Sequence, residues 1–167
     1  MCLLLELIHE LKEGGHRLLL FSQFTQALKL IEKNIEDENI SYFYLDGNTK
    51  AEDRNKMVNA FNQGFRDVFL ISLKAGGTGL NLTGADTVIH FDPWWNPAVE
   101  DQATDRAYRI GQENSVQVMK LITKGTIEEK IQNLQQKKRH LINSVIESGE
   151  KFISKMTEED IKELFSI

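Results

Sequence analysis

The chain has a single cysteine, two prolines and no long apolar run, and each scarcity removes a class of explanation. A lone thiol, Cys2, closes no internal disulfide and builds no multi-thiolate zinc site, and it suits a reducing, cytoplasmic compartment, nucleoid-associated if the source is bacterial. His9, His16, His90 and His140 are scattered without metal-ligand spacing, so no bound metal is expected. Nothing approaches the roughly 18 consecutive apolar residues of a membrane-spanning helix, so no membrane partner is expected. The apolar opening, residues 1–11, is broken by Glu6, His9 and Glu10 and lacks a small-residue cleavage site, which argues against a signal peptide. It reads instead as an amphipathic helix entered part-way, without a cap. Basic residues are outnumbered 20 to 25, which rules out a whole-surface basic coat for nucleic acid and leaves only a local phosphate-binding face open.

What is present is a regular alternation. Residues 17–22 (RLLLFS), 67–72 (DVFLIS) and 87–91 (TVIHF) are short, nearly continuous apolar runs, the pattern of strands covered on both faces. Residues 41–45 and 116–122 are further strand candidates, and the alternation of the last suits an edge. Between them lie helical patterns at 26–35 (Leu28, Ile31 and Ile35 in one stripe), 51–62 (Met57, Ala60 and Phe61) and 98–109, the last opening after Pro97. Strand and helix taking turns predict an α/β fold, a doubly wound and mainly parallel sheet with helices on both faces. Ligands of such sheets gather beyond the carboxyl ends of the strands. A long helix is expected over 126–146, with Thr126 and Glu129 as capping box and Ile127, Ile131, Leu134, Leu141, Val145 and Ile146 as its stripe. Gly149 is expected to end it, and a short terminal helix is expected at 157–165. The organisation is then one domain, residues 1–124, with a helical extension, residues 125–167, packed on it.

Three segments carry chemistry. On a helix over 98–109, Gln102, Arg106 and Arg109 would share a face through spacings of four and three, two guanidinium forks and an amide suited to phosphate oxygens. The plain alternative is an Asp105–Arg109 pair on a solvated face. After the DVFLIS run comes SLKAGGTGLNL (72–82), a glycine-rich loop whose backbone N–H groups can approach a phosphate, or equally a structural turn capped by Gly79. After TVIHF comes DPWWNP (92–97), with both prolines and both tryptophans of the chain, a rigid aromatic platform of which at least one ring is expected to anchor the core.

The order LLLFSQF, YLDGNTKAEDR, SLKAGGTGLNL, HFDPWWNPAVEDQATDRAYRIGQ resembles the second, C-terminal RecA-like lobe of Swi/Snf-type ATPases of helicase superfamily two, over residues 3 to about 148. The resemblance implies a double-stranded DNA translocase of the chromatin-remodelling type. It implies that Arg106 and Arg109 are catalytic arginine fingers, Arg109 the nearer to the γ-phosphate, with Gln102, Gly77, Gly79 and Asp105 around the nucleotide. It implies DNA-backbone contacts from Ser22, Gln23, Thr49, Lys50, Ser72, Lys74, Thr78 and Asn81, with Arg54 close by and Trp94 and Trp95 near the groove. The 126–146 helix resembles the brace that packs across two lobes.

A complete motor needs a Walker A loop, G-x-x-x-x-G-K-[ST], and a Walker B acidic pair, and the sequence contains neither. The family places both in a first lobe, so ATP with Mg2+ is expected to be held mainly there, and this lobe alone is expected to be inactive. Expected partners are that first lobe and double-stranded DNA, with protein–DNA complexes or a polymerase as further targets. The competing readings are a free-standing, non-catalytic DNA-binding or regulatory module and a dinucleotide-binding domain. The latter is disfavoured because no G-x-G-x-x-G follows the first strand.

Overall fold

The structure, a computed structural model, describes residues 2–76, 79–94, 96–108 and 115–148, with side chains at all of these except 76 and 141–148. Five strands form one sheet: β1 (Leu18–Ser22), β2 (Tyr42–Leu45), β3 (Val68–Ser72), β4 (Thr87–His90) and β5 (Gln117–Lys120). The order is β2-β3-β1-β4-β5 and every pairing is parallel. The three central strands are buried along their whole length, which is why their sequences are continuous apolar runs, whereas β5 lies at an edge and is exposed or half-buried.

Successive side chains of β1 feed opposite layers. Leu18 and Leu20 meet Leu4, Ile8 and Leu11 of α1 (Cys2–Glu13) and Leu28, Ile31 and Ile35 of α2 (Thr25–Asp37). Leu19 and Phe21 belong to the other layer, with Val58 and Phe61 of α3 (Ala51–Asn62), Leu73 of the one-turn α4 (Leu73–Gly76) and Ala103 of α5 (Pro97–Thr104). The doubly wound architecture therefore stands as expected, and a long α6 (Ile127–Ser148) follows β5.

Three local expectations are corrected. On α3 the fully buried positions are Val58 and Phe61, with Met57 only partly covered, because the Phe61 ring seats 5.3 Å from that of Phe69 and sets the helix's rotation. Helix α5 ends at Thr104 rather than 109. Its last bonds shorten to i→i−3, Arg106 N–H to the Ala103 carbonyl at 3.3 Å and Ala107 N–H to Thr104 at 3.0 Å, while the Arg106 carbonyl is taken by the Leu82 N–H at 3.0 Å. The expected apolar stripe of α6 is largely uncovered: Ile127 is 66% and Leu134 41% exposed, and Ile131 is half-buried. Leu141, Val145, Ile146, Gly149 and the 157–165 helix lie outside the described side chains or residues. At its start, Thr126 Oγ1 accepts the Glu128 N–H at 3.3 Å and the Glu129 carboxylate accepts the Gly125 N–H at 3.0 Å, a capping box displaced by one residue.

At the amino edge of the sheet, Arg17 closes the corner between β1, α3 and the turn before β4. Its guanidinium donates to the carbonyls of Gly84 (2.8 Å), Phe61 (2.5 Å) and Arg66 (2.8 Å) and lies 4.1 Å from the Phe61 ring centroid. Gly84 is required there, since a Cβ would stand 2.8 Å from the Asn62 Cα and 2.9 Å from Arg17 Nη1. A Gly84→Ala variant is expected to lose about 1–3 kcal/mol by overpacking, read as a lower midpoint in urea with an unchanged m-value.

Candidate functional site

Because the strands are parallel, the segments after β1, β2, β3 and β4 leave the same edge. Asp92, directly beyond β4, ties two of them together. Its carboxylate, 5% exposed, accepts from the Ser22 hydroxyl and, at 3.0 Å, from the Gln23 N–H. The Gln23 side-chain amide donates to the Pro93 carbonyl at 3.2 Å. Burial pushes the Asp92 carboxyl up, and the Ser22 and Gln23 donors pull it back in part. Ser22 is fully buried, and Ser72 is 3% exposed with its hydroxyl accepting the Ala75 N–H at 3.3 Å. Both serines are therefore buried where their oxygens brace the adjoining loops.

The β2 loop is organised in the same way. Thr49 Oγ1 accepts the Asp46 N–H at 3.1 Å, and the Asp46 carboxylate accepts the Asn48 N–H at 2.9 Å. Lys50, at the mouth of α3, is exposed, and Arg54 Nη2 donates to the Thr49 carbonyl at 3.3 Å. Between α3 and the Gly79–Asn81 segment runs an open groove of about 490 Å³, with Arg54, Asn55, Asn59 and Asn81 along its rim and Val58 and Leu80 beneath. Gly79 lies at φ +50 where the chain turns into it. Asn55 and Asn59 were not singled out from sequence; their spacing of four on the polar side of α3 was the available signal.

A second, apolar hollow of about 190 Å³ is lined by Gln23, Leu73, Lys74, Trp94 and Val99. Trp94 is half-buried and packs against the core layer that contains Phe21 and Phe69, the anchoring role expected for one tryptophan. On α5, Gln102 and Asp105 are exposed whereas Arg106 is 3% exposed, so Gln102 and Arg106 do not share an open face. The α5 turn explains this: Arg106 lies beyond the helix end, with its backbone held by Leu82. Gly77, Thr78, Trp95 and Arg109 lie outside the described residues. Among the described residues no group of three or more acidic, histidine or cysteine side chains is arranged to hold a metal ion, and no helix is long and apolar enough to cross a membrane.

Sequence reasoning missed a buried ionic centre behind the Trp94 loop. Glu100, on the buried side of α5 with Pro97 and Ala103, is 0% exposed and is paired with Lys120 of β5. The i, i+3 spacing of Glu100 and Ala103 was the only hint that a carboxylate faces inward. Burial raises the Glu100 carboxyl, but the Lys120 ammonium and the N–H donors of Trp94 and Gln135 outweigh it and hold it below the usual carboxylate range. His90, stacked on Phe21 at 5.7 Å, lies within 3.0 Å of the Thr104 hydroxyl, and burial drives its pKa down to about 4.

With this geometry in place, the chain can be compared with known proteins. The family described as the helicase conserved C-terminal domain matches residues 1–111, and the chain belongs to it. Within that family it is the C-terminal RecA-like lobe of the Swi/Snf type. It is 49% identical over 145 residues to the chromatin-remodeling ATPase INO80 of Aspergillus oryzae, covering 86% of this chain and 10% of that protein. It is 43% identical over 167 residues to the putative ATP-dependent helicase/translocase YwqA of Bacillus subtilis, covering 98% of this chain and 18% of that one. An uncharacterized ATP-dependent helicase of Mycoplasma pneumoniae is 43% identical over 162 residues, 96% of this chain and 16% of that protein. The crystal structure of the C-terminal part of the Fun30 ATPase domain superposes with a TM-score of 0.71 at 40% identity, over 75% of this chain and 41% of that chain. The chain thus spans less than a fifth of the length of these curated relatives.

The buried titratable groups set an acid sensitivity. His90 takes up a proton in the unfolded chain below pH 6.5 but in the folded one only near 4, so stability falls as pH drops through that window, by roughly 3 kcal/mol at most. Glu100, depressed in the fold, adds to this loss at the acid end, and Asp92, raised, opposes it. His90→Gln is expected to flatten the dependence of the urea midpoint on pH between 6.5 and 4.

Proposed function

We propose that the chain is the second motor lobe of an ATP-dependent double-stranded DNA translocase, supplying an arginine to ATP bound by a first lobe and gripping the DNA backbone. The observation that carries this reading is the groove between α3 and Gly79–Asn81, where one guanidinium and three side-chain amides line a single channel that follows α3 away from the β2 loop. Neutral amides and backbone N–H groups grip phosphates without reading bases, which is what a motor that tracks along DNA requires. Lys50 and Lys74, both exposed on the same edge, add positive charge that the acidic chain otherwise lacks. Ser22, Ser72 and Thr49, whose hydroxyls are engaged locally, act by shaping these loops, and Gln23 by bracing Pro93.

The nucleotide-facing part of the reading rests on α5. Gln102 is open to a phosphate, and because Arg106 is buried just beyond the end of α5, the finger role is assigned to Arg109 of the same motif. ATP with Mg2+ would be held by the first lobe, since the chain contains no Walker A sequence. The uncovered Ile127 and Leu134 of α6 supply apolar surface for that lobe to cover. Remodelled protein–DNA complexes are the natural target class.

The test is duplex-stimulated ATP hydrolysis by the full-length protein. Arg109→Ala is expected to lower turnover by about three to five decades with nucleotide and DNA still bound, and the 167-residue chain by itself to hydrolyse no ATP. Turnover that survives the substitution would reduce this lobe to a binding module. Separately, Arg54→Ala is expected to weaken duplex binding for all sequences alike and to reduce the salt slope of log K by about one.

A further inference from the structure

Helix α6 is attached to the domain by polar contacts. Of its described side chains Gln135 alone is buried, at 3% exposed. Its Nε2 donates to Glu100 Oε1 at 2.9 Å and to the Trp94 carbonyl. The same Glu100 oxygen accepts the Trp94 N–H at 2.6 Å, while Lys120 Nζ donates to the other oxygen and, at 3.4 Å, to Gln135 Oε1. One carboxylate therefore joins four segments: α5, the Trp94 loop, β5 and α6. An exposed Arg139–Asp101 pair is a further contact between α6 and α5.

A helix held by an apolar stripe slides or tilts with little penalty, because dispersion contacts are non-directional. A helix whose buried contact is an amide against a buried carboxylate is either engaged there or released, because half-made bonds leave buried polar groups unsatisfied. A glutamine at this position fixes geometry where a hydrophobic residue would only fill space.

We propose that Gln135, acting through Glu100, is a positioning residue that ties the seating of α6 to the shape of the Trp94 loop, so that displacing either loosens the other. The coupling stands on the hydrogen bonds alone; its consequence for DNA-stimulated turnover rests on the motor reading above.

Both tryptophans of the chain, Trp94 and Trp95, belong to this loop, so intrinsic fluorescence reports on it specifically. Gln135→Met preserves side-chain length and helix propensity but removes the amide. With far-UV circular dichroism unchanged, acrylamide quenching is expected to rise, emission to shift to the red and amide exchange in 127–140 to accelerate several-fold. Glu100→Gln, which keeps an acceptor for the Trp94 N–H but discards the charge, is expected to act in the same direction and carries the test should Gln135→Met not fold. The double variant should exceed neither single by much, since both cut one network. Unchanged tryptophan quenching in a folded variant, or single effects that simply sum, would overturn the coupling. In the full-length protein, Gln135→Met should raise the DNA concentration for half-maximal ATPase several-fold and leave KM for ATP in place. A wild-type protein without any DNA-stimulated ATPase would sink the motor reading, and the fluorescence result would still decide the coupling.

Discussion

Burial of β1, β3 and β4 on both faces is the constraint from which the rest follows. Strands with no polar side need a layer of helices on each face, and helical crossovers in turn make the strands parallel. Parallel strands send every loop after a strand out of one edge. Thus residues 22–24, 46–50, 73–75 and 91–94, separated by tens of positions in the chain, become neighbours without any contact having to recruit them. The amino edge is left to hold the fold, which Arg17 does by bonding carbonyls from α3 and from the turns before β3 and β4. The Arg17 corner and the loops that carry the candidate site thereby lie at opposite ends of the same strands.

At the carboxyl edge the loops are shaped by two buried carboxylates of unlike character. Asp92 is raised by burial and is met, among the described residues, by neutral donors, the Ser22 hydroxyl and the Gln23 N–H. Glu100 is equally sequestered but has a full ammonium from Lys120 and stays depressed. A charge so compensated is costly to disturb by removing one partner, which makes the Glu100 centre a firm reference point for the segments bonded to it.

The sheet was legible in the sequence because its signal is redundant: RLLLFS, DVFLIS and TVIHF each have the length and composition of a strand buried on both faces, and all three are central strands. Helix rotation and ends were less legible. The choice between Met57 and Val58 on α3 depends on where the Phe61 ring meets Phe69, a contact made across the fold. Likewise α5 stops short of its polar-apolar pattern because Leu82, more than twenty residues earlier, claims the Arg106 carbonyl. Motif identity located the candidate loops but not the state of each side chain within them, since serines written in a phosphate-contacting pattern are the residues best able to cap turns. Glu100, Lys120 and Gln135 left almost no trace, because a buried charge is recognisable only once its partner from a distant segment is in place.

On the proposed motor reading, a site divided between two lobes has an advantage. If one body held both the phosphate cradle and the charge that stabilises transfer, hydrolysis could proceed without regard to what the body was doing. Dividing them means that the low-dielectric, water-excluded arrangement in which an arginine acts most strongly exists only when two surfaces meet. On that reading α6 is one of the surfaces that would meet, since it leaves Ile127 and Leu134 uncovered while Gln135 anchors it. An apolar surface that waits for a partner and a polar latch that reports on its seating are complementary devices. On the proposed motor reading the first would favour closure, and the second would carry the attitude of α6, through Glu100, to the Trp94 loop.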